Sequence, residues 1–181
     1  MKLLKKFFKV TQIITLISIL IGLIFTKQVS LQTLQPLADE YRTAWDFELL
    51  DLDDKKFQLS KYRGNIIVLN FWETWCPDCI KEMPSLNRLV GNFKKEKKVL
   101  FWAISHEDKL TLQEYLSKNK FNYHHFYNGQ KVRRDYNVQF VPIHIIIDQK
   151  GKIRYSFPAD DQVYAKLSQG IKKILKELKE N

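Results

Sequence analysis

The sequence predicts an α/β fold in which one sheet is covered by helices on both sides. Three observations carry this. Two unbroken β-branched and aromatic runs, "IIVLNFW" (Ile66 to Trp72) and "KVLFWAIS" (Lys98 to Ser105), read as strands buried on both faces. After each run, apolar residues recur at three- and four-residue spacing, the period of an amphipathic helix. With 45% hydrophobic residues in 181, the chain can fill a core of its own.

The first element is a basic start, residues 1–9, followed by 17 uncharged residues from Val10 to Thr26. At 1.5 Å per residue this run is about 25 Å long, a little short of a ~30 Å hydrocarbon core, and Lys9 and Lys27 can snorkel. A cleaved signal peptide would end in a small-x-small pair, which "GLIFTKQVS" lacks, so residues 1–27 read as an uncleaved anchor. Four lysines precede the span, against Lys27 alone in the first residues after it. This predicts a single-pass protein of the cytoplasmic membrane, N-terminus inside and the remainder outside. A polar linker containing Pro36 fills residues 28–44, and the domain is expected over 45–181.

"WDFELLDLDDKKFQLS" alternates around Asp53-Asp54 and reads as a hairpin. From Cys79, the stripe Ile80, Met83, Leu86, Leu89, Val90 and Phe93 marks a helix, with Pro84 inside it and Gly91 near its end. A second helix is expected over 108–117, with Leu110, Leu112, Tyr115 and Leu116 facing the core. "FNYHHFY" is a weaker strand. "VPIHIIID" and "KIRYSF" form a hairpin around "QKG", and a last helix runs from Asp161 with Val163, Leu167, Ile171, Ile174 and Leu178 on its apolar stripe.

The net charge of +10 first suggests nucleic acid. The lysines are spread over the N-terminus, the 94–98 loop and the last helix, without the aromatic or glycine interleaving of a nucleic-acid groove. They read as solvated faces, and no nucleic-acid partner is expected.

Both cysteines fall in "WCPDC", Trp75 to Cys79. A structural zinc wants four ligands, whereas this chain has one C-x-x-C and four histidines with no H-x₃₋₅-H pair. A staple across two residues closes almost no loop, so it removes little unfolded-state entropy. Redox chemistry explains the placement better. The motif lies where a buried strand hands over to a helix, so Cys76, at the exposed helix start, meets free N–H groups and the positive dipole end. Both stabilise the thiolate that attacks disulfides, and Cys79 is placed to resolve the mixed disulfide.

"FWETWCPDC", "KEMP", the upstream "LSKYRGN" and "FVPIHIIID" resemble the TlpA/ResA-like thiol–disulfide oxidoreductases, the membrane-anchored branch of the thioredoxin superfamily. The resemblance implies a thioredoxin-like fold over a central mixed sheet, Cys76 as nucleophile and Cys79 as resolving cysteine. Pro142 matches the family's cis-proline, which leaves the Val141 backbone to pair with an extended substrate. Trp75, beside the nucleophile, is expected to shield the site and offer a docking surface, while Trp72 reads as core. The partners implied are protein thiol and disulfide substrates, apocytochrome c among them, and an electron donor in the membrane, with no cofactor or bound metal. The pair between the cysteines is Pro77-Asp78 where the family more often carries Glu-Pro or Pro-Pro, and the resemblance assigns His144 no role. A thiol-based copper chaperone with His144 as extra ligand and a disulfide-introducing oxidase are the competing readings. A peroxidase would carry its threonine three residues before the cysteine, whereas Thr74 is two before Cys76.

Glu82 matches the helix acid three residues after the second cysteine. Beneath the cysteines it would be hard to ionise and suited to exchange a proton with Cys79. Asp78, four residues earlier on the same face, is expected to modulate the pair through its charge.

Overall fold

The computed structural model of the chain describes residues 42–180. The predicted anchor and most of the linker lie outside the described residues. β1 (Glu48–Leu50) and β2 (Lys56–Gln58) pair antiparallel across a turn at Asp54, which adopts a φ of 59°. Five strands form the main sheet: β3 (Ile66–Phe71), β4 (Val99–Ile104), β5 (His124–Phe126), β6 (Ile143–Ile147) and β7 (Ile153–Pro158). Their spatial order is β5-β4-β3-β6-β7. The first three are parallel, and β6 runs antiparallel to both β3 and β7, so the sheet is mixed.

Helices α1 (Pro77–Phe93), α2 (Lys109–Lys118), α3 (Gln130–Asp135) and α4 (Val163–Glu180) complete the layers. Successive strand residues point to opposite faces, so β3 serves two cores at once. Val68 meets Leu86 and Leu89 of α1 and Leu167 and Ile171 of α4 on one side, in the same cluster as Trp72. Ile67, Leu69 and Phe71 meet Phe47, Trp102 and Val132 on the other. This double burial is why the "IIVLNFW" run shows no polar alternation.

Three expectations about side chains are corrected. Leu110 is 77% exposed, because α2 turns Leu112 inward and a residue two positions away points to the opposite side. Ile80 and Leu178, at the ends of their stripes, are 42% and 43% exposed. The sequence reading also missed α3, a six-residue helix whose buried residue is Val132. At the other end of the domain, the chain is pinned before Trp45. Ile153 N–H donates to Arg42 O at 2.8 Å, and Ala44 N–H to Gly151 O at 2.9 Å.

His125 lies in the core, its ring against Trp72 and Phe121, with Nε2 bonded to Phe121 O at 3.0 Å. Burial pushes its pKa down to about 4. The unfolded chain therefore takes up a proton near pH 6.5 that the folded chain refuses, so stability present above pH 6.5 is lost as pH falls toward 4. The loss amounts to about 3 kcal/mol. Urea titrations at pH 7 and pH 4.5 should show it, and His125→Phe, which keeps the ring but cannot titrate, should flatten the difference.

Candidate active site

The cysteines occupy the junction between β3 and α1. Cys76 is the helix N-cap, with extended backbone, and Pro77 takes the first helical position, where its missing N–H costs nothing. Cys76 and Cys79 form a disulfide, with Cα atoms 5.3 Å apart. The Cys79 N–H donates to Cys76 Sγ at 3.2 Å. In the reduced form, this amide and the helix dipole favour negative charge on Cys76, the sulfur at the helix end.

Cys76 is not exposed as expected. It is 3% accessible and Cys79 2%, so exposure does not separate them. Cys76 Sγ is bonded to Cys79 of α1 and lies 3.7 Å from the Val141 carbonyl oxygen. The Val141–Pro142 peptide is cis, as the resemblance implied. Trp75, next to Cys76 in the chain, has 62% of its surface in solvent and presents an apolar face beside the pair. Trp72 is fully buried.

Glu82 projects inward from the next turn of α1 and is 6% exposed. Its Oε1 accepts the Asp160 N–H at 2.8 Å, and its Oε2 lies 2.9 Å from His144 Nε2. His144, fully buried on β6, faces Asn70 across the strand pair. Among the described residues, His144 Nδ1, Asn70 Oδ1 and the Tyr123 hydroxyl have no hydrogen-bond partner. The phenol of Tyr123 is raised well above its usual range by burial, with Glu82's charge adding to the effect. The Glu82–His144 pair thus anchors a buried polar patch beneath the cysteine helix. Among the described residues, no three His, Cys, Asp or Glu side chains converge as a metal site.

Asp78 is exposed and lines the same shallow cleft as Glu82, beside Lys81 and Asp160. Its charge opposes a thiolate on Cys76, but through solvent. Asp78→Asn should lower the Cys76 pKa slightly and make the couple more oxidising by about 10 mV, since an exposed charge is worth well under about 1 kcal/mol and about 30 mV corresponds to 1.4 kcal/mol. Equilibration of both proteins with a thiol–disulfide buffer measures this.

A second network went unread in the sequence. Glu73 is 1% exposed, three residues before Cys76. Ser105 Oγ–H donates to its Oε2 at 2.6 Å, and Arg133 donates to its Oε1 at 3.3 Å. His106 Nδ1 is 2.5 Å from the same Oε1. Burial pushes the Glu73 carboxyl up, opposed by the Ser105 and His106 contacts. The next residue is held too, with Thr74 N–H and Oγ1–H donating to Glu107 at 2.8 and 2.6 Å. Gly129 makes room for this loop, since a Cβ there would sit 2.9 Å from Ser105 O. Two carboxylates therefore clamp the segment that delivers Trp75 and Cys76. The signal was a glutamate closing an apolar run. Its partner follows from the parallel register, which pairs Phe71 with Ile104 and so brings residue 73 beside residue 106.

Comparison with known proteins agrees with this geometry. The thiol-disulfide oxidoreductase ResA of Geobacillus kaustophilus (strain HTA426) is 34% identical over 113 residues, 62% of this chain and 65% of that protein. The ResA of Halalkalibacterium halodurans is 28% identical over 150 residues, 82% of this chain and 84% of that protein. The chain thus spans slightly less than two thirds of the Geobacillus relative. Among solved structures, a thiol:disulfide interchange protein of Chlorobium tepidum TLS superposes with a TM-score of 0.64, at 21% identity over 75% of this chain and 97% of that one. A thiol-disulfide oxidoreductase of Bacteroides fragilis NCTC 9343 also superposes with a TM-score of 0.64, at 22% identity over 71% of this chain and 98% of that one. Those two likenesses establish the thioredoxin-like fold. The model of the AhpC/TSA family matches residues 41–156, from the start of the domain through β3, the cysteines and Pro142 into β7. With that span matched, the chain belongs to the AhpC/TSA family.

Proposed function

We propose that this chain is a thiol–disulfide oxidoreductase that reduces disulfides of protein substrates outside the cytoplasmic membrane. One observation carries the reading: Cys76, the N-cap of α1, receives the Cys79 N–H and faces Val141 O. In the reduced protein, the Cys76 thiolate attacks a substrate disulfide, forming a mixed disulfide and releasing one substrate thiolate. Cys79, deprotonated, then attacks Cys76 Sγ. The Cys76–Cys79 bond forms, the second substrate thiolate leaves, and two electrons have passed from the dithiol to the substrate.

The names of the ResA relatives support the activity, and the motif resemblance supports apocytochrome c as one substrate and a membrane protein as electron donor. Trp75 and the backbone of Val141 would receive an extended substrate segment. The apolar run 10–26, with its four preceding lysines, supports an anchored, extracytoplasmic domain. The threonine before the cysteine disfavours a peroxidase, since Thr74 is bound to Glu107.

The purified full chain should accelerate dithiol-driven reduction of insulin over dithiol alone. In intact cells a membrane-impermeant maleimide should label reduced Cys76. Insulin reduction no faster than the dithiol background would refute the activity, and labelling only after lysis would refute the location.

A further inference from the structure

Lysines that are far apart in the sequence come together in the fold. Ile66 N–H, at the start of β3, donates to Lys98 O at 2.8 Å, so the 94–98 loop sits at the end of the sheet opposite the cysteines. The β6–β7 turn is at this end too, since Gly64 N–H donates to Gln149 O at 2.9 Å. Arg63 lies over Gly151 there, where a φ of +78° and the guanidinium itself both exclude a side chain. The last turns of α4 join them, with Lys172, Lys176 and Lys179 lining one cleft with Phe93 and Glu96. The four loop lysines and these three are all exposed. Acids offset little of this charge. Asp148 and Glu177 both engage Arg154, Glu180 engages Lys176, and Glu96 is the one acid of the loop.

The cysteine end is built differently, with its lysines matched by acids. Lys81 pairs with Asp161, Lys109 with Asp54 and Lys166 with Asp160. The domain is thus basic at one pole and balanced at the other. The backbone of Arg42, the first described residue, is held at this end by the bond from Ile153 N–H to its carbonyl, while its side chain lines a cleft with Tyr136 and Phe140. Residues 27–41 separate Arg42 from the apolar run that ends at Thr26. Fifteen residues reach at most about 50 Å.

We propose that this basic pole docks on an anionic phospholipid surface, a proposal that rests on reading residues 10–26 as an anchor. Because Arg42 is held at this pole and the apolar run ends fifteen residues before it, an anchored chain would bring the pole within reach of the bilayer, where an attraction that acts over roughly a Debye length of 10 Å suffices. Docked, the cysteines face away from the bilayer, about 20 Å up the length of β3, toward incoming substrate.

The test reconstitutes the full chain into phosphatidylcholine vesicles with and without phosphatidylglycerol. Flotation reports attachment, and an impermeant amine reagent with peptide mapping reports lysine exposure. The proposal expects Lys94–Lys98 and Lys172–Lys179 to label about fivefold more slowly with phosphatidylglycerol present. Lys81 and Lys131 should be unchanged, and high salt should remove the protection. Replacing Lys95, Lys97, Lys172 and Lys176 by Gln should abolish it while insulin reduction in detergent stays intact. Flotation with both lipids but equal labelling overturns the docking and leaves the anchor standing. Salt-sensitive flotation with the anionic vesicles alone supports the docking and refutes the anchor. No flotation with either refutes both. Protection by polyglutamate but not by anionic vesicles would assign the pole to an acidic protein instead.

Discussion

Replacing Cys76 by serine should reduce insulin reduction to the dithiol background, whereas Cys79→Ser should still attack and then stall as a mixed disulfide. The asymmetry follows from position rather than exposure, since both sulfurs are nearly inaccessible. Cys76 Sγ has the Cys79 amide as donor and the helix dipole behind it, which favours the thiolate. Both sulfurs belong to the same core cluster, but Cys79 sits inside the first turn of α1, past the helix end where the free amides point. Without Cys79 the mixed disulfide has no internal thiol to break it, and mass spectrometry should find the adduct on Cys76. Adducts accumulating on Cys79 in the Cys76→Ser protein would reverse the assignment.

The second large effect is expected at the Glu82–His144 pair. Two ionisable groups out of water hold each other in place, and removing one leaves the other with less compensation. His144→Leu should cost about 3 kcal/mol, at the low end for breaking a buried pair because Asp160 N–H still serves Glu82. Glu82→Gln is gentler on the fold, since an amide can still accept from Asp160 and donate to His144. Its effect should fall on exchange. If Glu82 passes the proton that Cys79 must lose to resolve, the rate should drop by about 100-fold and the pH–rate profile should change. Urea denaturation and stopped-flow exchange from pH 5 to 9 separate the two effects. An unaltered rate and profile in Glu82→Gln would make this acid a structural residue only.

The layers were legible because burial leaves a periodic trace. β3 and β4 read as unbroken apolar runs, and α1 and α4 as stripes built on Leu86, Leu89, Leu167 and Ile171. The cysteine pair and Pro142 were legible from spacing and resemblance. What was not legible depends on register and on contacts distant in sequence. Nothing local says that Glu73 will meet His106 and Arg133, because only the parallel β3–β4 pairing and the placement of α3 bring them together. His144 could be seen but not interpreted until β6 placed it over Glu82. α3 escaped because one buried valine in six residues carries no period. The lysines misled in the opposite way: dispersed in sequence, they gather at one pole only when β3, the β6–β7 turn and α4 are assembled.

The reduction potential of the Cys76–Cys79 couple, measured by equilibration with thiol–disulfide buffers, tests the account most directly. A disulfide reductase predicts a reversible two-electron couple near that of thioredoxin, about −270 mV. A value near about −120 mV would reverse the direction and make the protein an oxidant, and one well below about −300 mV would make the disulfide a structural bond that exchanges with nothing.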